Sequence, residues 1–190
     1  MKRTILIGVV IFFHTVLISQ ISDKLWLGGF NEFPGQPGFA QFQIYFGTNG
    51  PIVEAQPLAF NFESTVAVAA DKFGNLLFYS NGCEVANRNH QLMPNGDKLP
   101  VSSISDLVCP WKGYMAPQGA MVLPWPADST RYCLLHMNAD YEPRRKLQLG
   151  PLFYSVIDMT LDGGLGDVVE KRTPLVTGDL TGFTAIRHGN

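Results

Sequence analysis

The chain has 190 residues and a formal net charge of −2; 46% of its residues are hydrophobic and only 16% charged. That balance excludes an intrinsically disordered chain, which is polar and charge-rich, and it leaves no clustered basic surface of the kind nucleic acid requires. With 19 glycines and 13 prolines, the composition predicts many turns and few long helices.

Lys2 and Arg3 precede an apolar run over residues 4–18 that is broken only by Gly8, His14 and Thr15. The run is shorter than the ~20 residues that span a bilayer and has the form of a secretory signal peptide. Its end is placed after Ser19, so residues 1–19 are the signal peptide and Gln20 opens the mature chain. Leu17, three residues before the cut, departs from the small residue such sites prefer. An uncleaved anchor helix is the alternative reading. Cleavage removes two of the 14 basic residues and none of the 16 acidic ones, so the exported chain is acidic and has no pull toward anionic lipid or DNA. The expected location is the secreted space or the outer cell surface, with no membrane insertion after cleavage and no nucleic-acid partner.

Residues 20–64 read as N-terminal strands and loops. The segment 25–30 (LWLGGF) is an apolar first strand, 31–38 is a Pro/Gly-rich loop, and 39–46 (FAQFQIYF) alternates as a strand with Phe42, Ile44 and Phe46 on one face. A turn follows over 47–51, and 58–62 leads into the region 65–190. There, strands at 65–69, 76–79 and 83–86 are separated by Gly74-Asn75 and Asn81-Gly82, the second read as a type I′ hairpin turn. Residues 94–118 show no helical period and read as a long irregular loop. Strands at 120–125 and 131–137 flank a turn at 126–130; 138–149 is polar and reads as a solvent loop. A strand at 152–159, a Gly-rich turn at 161–167, a return strand at 168–176 and the start of another at 183–187 complete the chain. Val66, Met121 and Thr184 open comparable meanders about 55 and 63 residues apart, an irregular version of the spacing of propeller blades. The fold class expected is all-β, built of antiparallel meanders resembling propeller blades in an incomplete ring.

Export permits disulfides. Cys83 follows a hairpin turn and Cys109 precedes Pro110, so a Cys83–Cys109 bridge is favoured, with three free thiols as the alternative; Cys133 lies in a strand and reads as a small buried hydrophobe. His90, His136 and His188 each lie near a strand end and come from separate meanders. They would make a metal site only by converging on a channel. Asp158, Asp162, Asp167 and Glu170 surround the glycine turn without an EF-hand pattern, leaving structural calcium as a possible cofactor and no other. There is no G-x-S-x-G elbow and no phosphate- or dinucleotide-binding fingerprint, so no catalytic or cofactor-binding residue is assigned. Trp125 and Phe153 read as core. Trp111 and Tyr114, in the loop PWKGY, are the candidates for a surface contact with a glycan or a protein.

The segments DKFGNLLFYSNG, NRNHQLMPNG, QGAMVLPWP, LFYSVIDMTLDGGLGDVVEKRTPL and TAIRHGN together resemble the N-terminal region of large exported proteins of Bacteroidota. The resemblance covers residues 65–190. It implies a β-propeller-like fold loosely related to WD-type propellers. It also implies neighbouring immunoglobulin-like or PKD-like modules and a C-terminal sorting domain read by the type IX secretion system, some members being labelled gliding-motility-associated. In such proteins the strand near Thr184 continues, so the resemblance implies a truncated fragment, linked to type IX secretion machinery only through a domain this chain does not carry. The function implied is an exported binding or structural module; an exported hydrolase acting on glycans and an architectural spacer are the alternatives.

Overall fold

The structure, a computed structural model, describes residues 24–30, 40–141 and 147–185. The expected signal peptide, the loop at 31–38 and His188 lie outside the described residues. Ten strands form three antiparallel sheets, so the all-β expectation holds. The first sheet joins β1 (Leu25–Gly28), β2 (Phe42–Gly47) and β3 (Gly50–Ala55); the second joins β4 (Ala67–Ala70), β5 (Leu76–Ser80) and β6 (Val85–Asn87). The third joins β7 (Ala120–Trp125), β8 (Asp128–Tyr141), β9 (Leu147–Asp158) and β10 (Asp167–Val176). In each sheet, neighbours in space are neighbours in the chain. Among the described residues the sheets do not close into a ring.

The second sheet is the middle layer, and side-chain alternation explains why. Ala67, Ala69, Phe78 and Val85 point to one face and pack against Ala120, Leu134, Ile157 and Val168 of the third sheet. The opposite face carries Val68, Tyr79 and Ala86, which meet Leu27 of the first sheet together with Phe60 and Phe62. Small alanines in β4 let the sheets approach, and large aromatics in β5 fill the space on both sides. Phe78 and Tyr79, adjacent in sequence, are both fully buried. Phe78 meets the edge of Tyr132 at 5.3 Å between ring centroids, and Tyr79 meets Phe60 at 5.1 Å.

Four local expectations are corrected. The loop 94–118 contains a helix, α1 (Ser103–Val108), started by a capping box in which Ser102 Oγ accepts from Ser105 N–H at 3.1 Å and Ser105 Oγ accepts from Ser102 N–H at 2.8 Å. The helix is too short for its period to show in sequence; only Ile104 and Val108, four apart, mark its buried side. The expected solvent loop at 138–149 is largely ladder: Ala139 pairs with Leu149, Asp140 with Gln148 and Tyr141 with Leu147, and residues 142–146 lie outside the described set. The turn at Asn81-Gly82 is not type I′, since Ser80 pairs with Val85 across a four-residue connection and only Gly82 has positive φ. Residues 183–185 form no strand, so the third meander expected at Thr184 is not opened there. The hairpin partner β3 and the strict bounds of 58–62, which is irregular, were also not legible.

One buried polar group in the core, His136, lacks a complete set of hydrogen bonds. His136 on β8 is fully buried; its Nε2 contacts Ser155 Oγ at 3.0 Å, its ring stacks on Phe153, and Nδ1 has no hydrogen-bond partner among the described residues. Burial first, and the Arg172 charge second, push its pKa down from the ordinary 6.5 to about 4. The unfolded chain takes up this proton near 6.5 and the folded chain only near 4, so unfolding free energy is full above that window, falls as pH drops through it and levels off below. The contribution is about 3 kcal/mol. Chemical denaturation from pH 7 to pH 4 should show this slope, reduced in His136→Gln; an unchanged slope would remove the assignment. Separately, Phe78→Ala should lower stability by about 3–5 kcal/mol, read as a shift in the denaturant midpoint, because no neighbouring loop can collapse into a space walled by two sheets.

Candidate functional site

A turn built on Asn81 brings together the segments that form the candidate site. Asn81 is fully buried. Its Oδ1 accepts from the backbone N–H of Cys83 at 3.0 Å and of Glu84 at 3.1 Å; its Nδ2 donates to Asn61 O at 3.0 Å, and its carbonyl accepts from Tyr114 N–H at 2.9 Å. Two glycines make the close approach possible. A Cβ at Gly82, where φ is +81°, would stand 2.7 Å from Thr65 Cγ2, and one at Gly113, where φ is +84°, would stand 2.6 Å from Asn61 O.

The sulfurs of Cys83 and Cys109 are bonded, with Cα atoms 5.6 Å apart across 26 residues of sequence. Cys83 lies in the connection between β5 and β6 and Cys109 caps α1. The bridge therefore ties the middle sheet to the helical loop. Cys133 is a free, half-buried thiol whose pKa is raised by burial and by Glu170.

Beside this bridge lies an open cleft of ≈ 340 Å³. Gln41, Leu58, Ala59, Phe60, Asn61, Glu84, Cys109, Pro110, Trp111 and Gly113 line it. Trp111 is 74% exposed. Its backbone is nevertheless held, its N–H donating to Val108 O at 3.1 Å and its carbonyl accepting from Asn61 Nδ2 at 3.0 Å. The indole is thus a free surface on a fixed backbone.

Tyr114 corrects the reading that paired it with Trp111 as a surface contact. It is fully buried, its hydroxyl accepts from the N–H of Ala139 on β8, and burial raises its pKa to about 12. Two residues along a tight loop face opposite ways: Trp111 toward solvent, Tyr114 into the cluster of Cys83, Ile104, Met137 and Leu152.

The cleft holds one ionisable side chain, Glu84, whose pKa is raised by burial and then by the charge of Asp97. Asp97 has its own cation, Lys171 Nζ at 3.1 Å. Gln41 is engaged throughout: Nε2 donates to Phe60 O at 3.0 Å and to Asn61 Oδ1 at 3.1 Å, and Oε1 accepts from Leu58 N–H at 2.8 Å. Behind the wall, Ala59 N–H donates to Tyr79 Oη at 2.9 Å, and Tyr79 Oη lies 3.1 Å from Nδ1 of His90. Gln56 Nε2 donates to His90 Nε2 at 2.8 Å, which leaves the ring proton on Nδ1, toward the tyrosine. Burial lowers the His90 pKa.

The histidines and acids do not converge. His90 belongs to this network and His136 to the far side of the middle sheet. Asp158 accepts from Thr160 and from Arg131 Nε at 3.0 Å, Asp167 from Asn95 Nδ2 at 2.9 Å, and Glu170 from Thr173. Among the described residues no group of three His, Cys, Asp or Glu side chains is placed to hold a metal ion, and no helix is long and apolar enough to cross a membrane. Sequence reading singled out Trp111 and missed Glu84, Gln41 and Asn61. Glu84 left one trace, a charge directly after a cysteine and before an uncharged strand. The two amides come from segments about 20 residues away from their partners and left none.

Compared with known families and proteins, the chain matches no family model, no curated protein and no solved structure.

The bridge closes a loop whose ends are 26 residues apart, for which chain entropy gives roughly 3 kcal/mol. The Cys83→Ser, Cys109→Ser double variant should lose about that much stability, measured by denaturant titration. A loss well under 1 kcal/mol would show that the Asn81 hydrogen bonds alone hold the loop.

Proposed function

We propose that this protein is an exported binding module whose ligand, a glycan or an extracellular protein, docks at the Trp111 cleft. The observation that carries the reading is the combination at one place of an exposed indole, a backbone locked by hydrogen bonds and a neighbouring disulfide. An aromatic anchor of this kind contributes contact area at small entropic cost because its backbone is ordered before binding. The apolar N-terminal run with Lys2 and Arg3 supports export, and a disulfide suits the oxidising space outside the cytoplasm.

The scaffold reading belongs here too. Three successive meanders, stacked face to face in chain order, support blades of a propeller-like protein of the exported Bacteroidota type, with further blades extending the stack. The rival reading as a hydrolase needs two converging carboxylates or a histidine paired with a carboxylate. The cleft presents the single carboxylate of Glu84, and His90 and His136 are partnered by Gln56, Tyr79 and Ser155; this favours binding over hydrolysis.

The test compares the mature protein with Trp111→Ala on glycan arrays and on intact cells of the source envelope. The variant should keep its circular dichroism and melting temperature, because Trp111 is largely exposed, and should lose at least about tenfold in binding, the scale of an interface hot spot. Equal binding by both proteins would place the function elsewhere on the surface.

A further inference from the structure

We infer that the cleft between Glu84 and Trp111 receives a lysine or arginine side chain of an extracellular polypeptide partner. The inference rests on the reading of Trp111 as a docking site and names the chemistry that fills it.

The disulfide sets the geometry. Glu84 directly follows Cys83, and Trp111 lies two residues beyond Cys109, so joining the two sulfurs brings Glu84 and Trp111 into the lining of one cleft. Both residues are then held by backbone hydrogen bonds, Glu84 to Asn81 and Trp111 to Val108 and Asn61. Their spacing is built in before any ligand arrives.

The charge balance sets the ligand. Among the described residues no lysine, arginine or histidine pairs with Glu84, and no other charged side chain lines the cleft. A half-buried carboxylate with a second acid nearby is costly in its ionised form until a cation approaches. The indole face attracts a cation by its quadrupole and covers the aliphatic stem that carries it. Glu84 and Trp111 therefore select one group: a positive charge on an apolar stalk.

A neutral sugar fits less well. It needs donors as well as acceptors, and both N–H groups of Gln41 are already used within the wall. The Glu84 carboxylate only accepts, which suits an ammonium or guanidinium with several N–H donors. The volume of ≈ 340 Å³ stands at the small end of the ~300–1,000 Å³ typical of ligand sites, enough to take one long side chain.

The experiment titrates the mature protein with Nα-acetyl-arginine methylamide, its lysine counterpart, the uncharged citrulline counterpart, tetramethylammonium and a neutral disaccharide. The readout is the fluorescence change present in wild type and absent in Trp111→Phe. The arginine or lysine probe should saturate, at a millimolar constant or better. Citrulline should bind at least about tenfold more weakly, and Glu84→Gln should lose the same factor for the cationic probes while leaving citrulline unaffected. Citrulline or the disaccharide binding as tightly as arginine would overturn the inference and leave the docking site standing. Tetramethylammonium binding tighter than both amino-acid probes would overturn the assignment to a polypeptide and point to a free ammonium ligand. No saturation by any probe up to about 50 mM would overturn both this inference and the docking reading.

Discussion

The middle sheet has no solvent face, and the rest of the molecule is arranged around that constraint. A sheet buried on both sides must offer apolar groups at consecutive positions, not at alternate ones. Phe78 and Tyr79 meet the demand on β5, Val85 and Ala86 on β6, and the alanines of β4 set how near the flanking layers come. Tyr79 has a hydroxyl to satisfy inside this packing; its oxygen accepts from the Ala59 N–H and lies 3.1 Å from His90 Nδ1. The wall of the cleft is a by-product of that requirement: residues 58–61 are drawn against the sheet to cover the tyrosine, and Gln41 and Asn61 then pair with each other above it.

Polar burial does the complementary job at the end of the sheet. Asn81 satisfies four backbone groups from three separate segments, so its neighbourhood has one arrangement in which no buried donor is left without an acceptor. Thr65 adds a fifth tie, its hydroxyl donating to Ala116 O at 2.6 Å. Tyr114 then carries the same order outward to β8. Apolar packing brings the layers together without fixing how the loops run; these directional bonds fix the loops. The disulfide reinforces a geometry the hydrogen bonds already favour.

The cleft inherits its chemistry from this scaffold. Its amides are consumed in holding the wall, its aromatic side chain is left over by the loop, and its carboxylate has no cation among the described residues. Under the binding role proposed above, the rigid backbone would keep the ordering cost low and the carboxylate would disfavour acidic partners.

By itself the sequence determined the all-β class and most of the strands. Alternation in FAQFQIYF, the runs LLFY and LFYSVID, and glycine-containing breaks such as FGN and LDGG are local features, and local backbone preference is readable from local residues. It also made Trp111 conspicuous, as an aromatic in a Gly- and Pro-containing loop. The tertiary structure alone decided which loop aromatic faced water, since Trp111 and Tyr114 sit in the same short loop and differ only in what lies beneath them. It alone turned 139–141 and 147–149, read in sequence as parts of a solvent loop, into paired strand, because the ladder from Ala139 to Tyr141 depends on partners on β9. It alone placed Glu84 beside Trp111. Charge, exposure and pairing are properties of neighbours brought together from 20 to 50 residues away, and no periodicity along the chain encodes those distances.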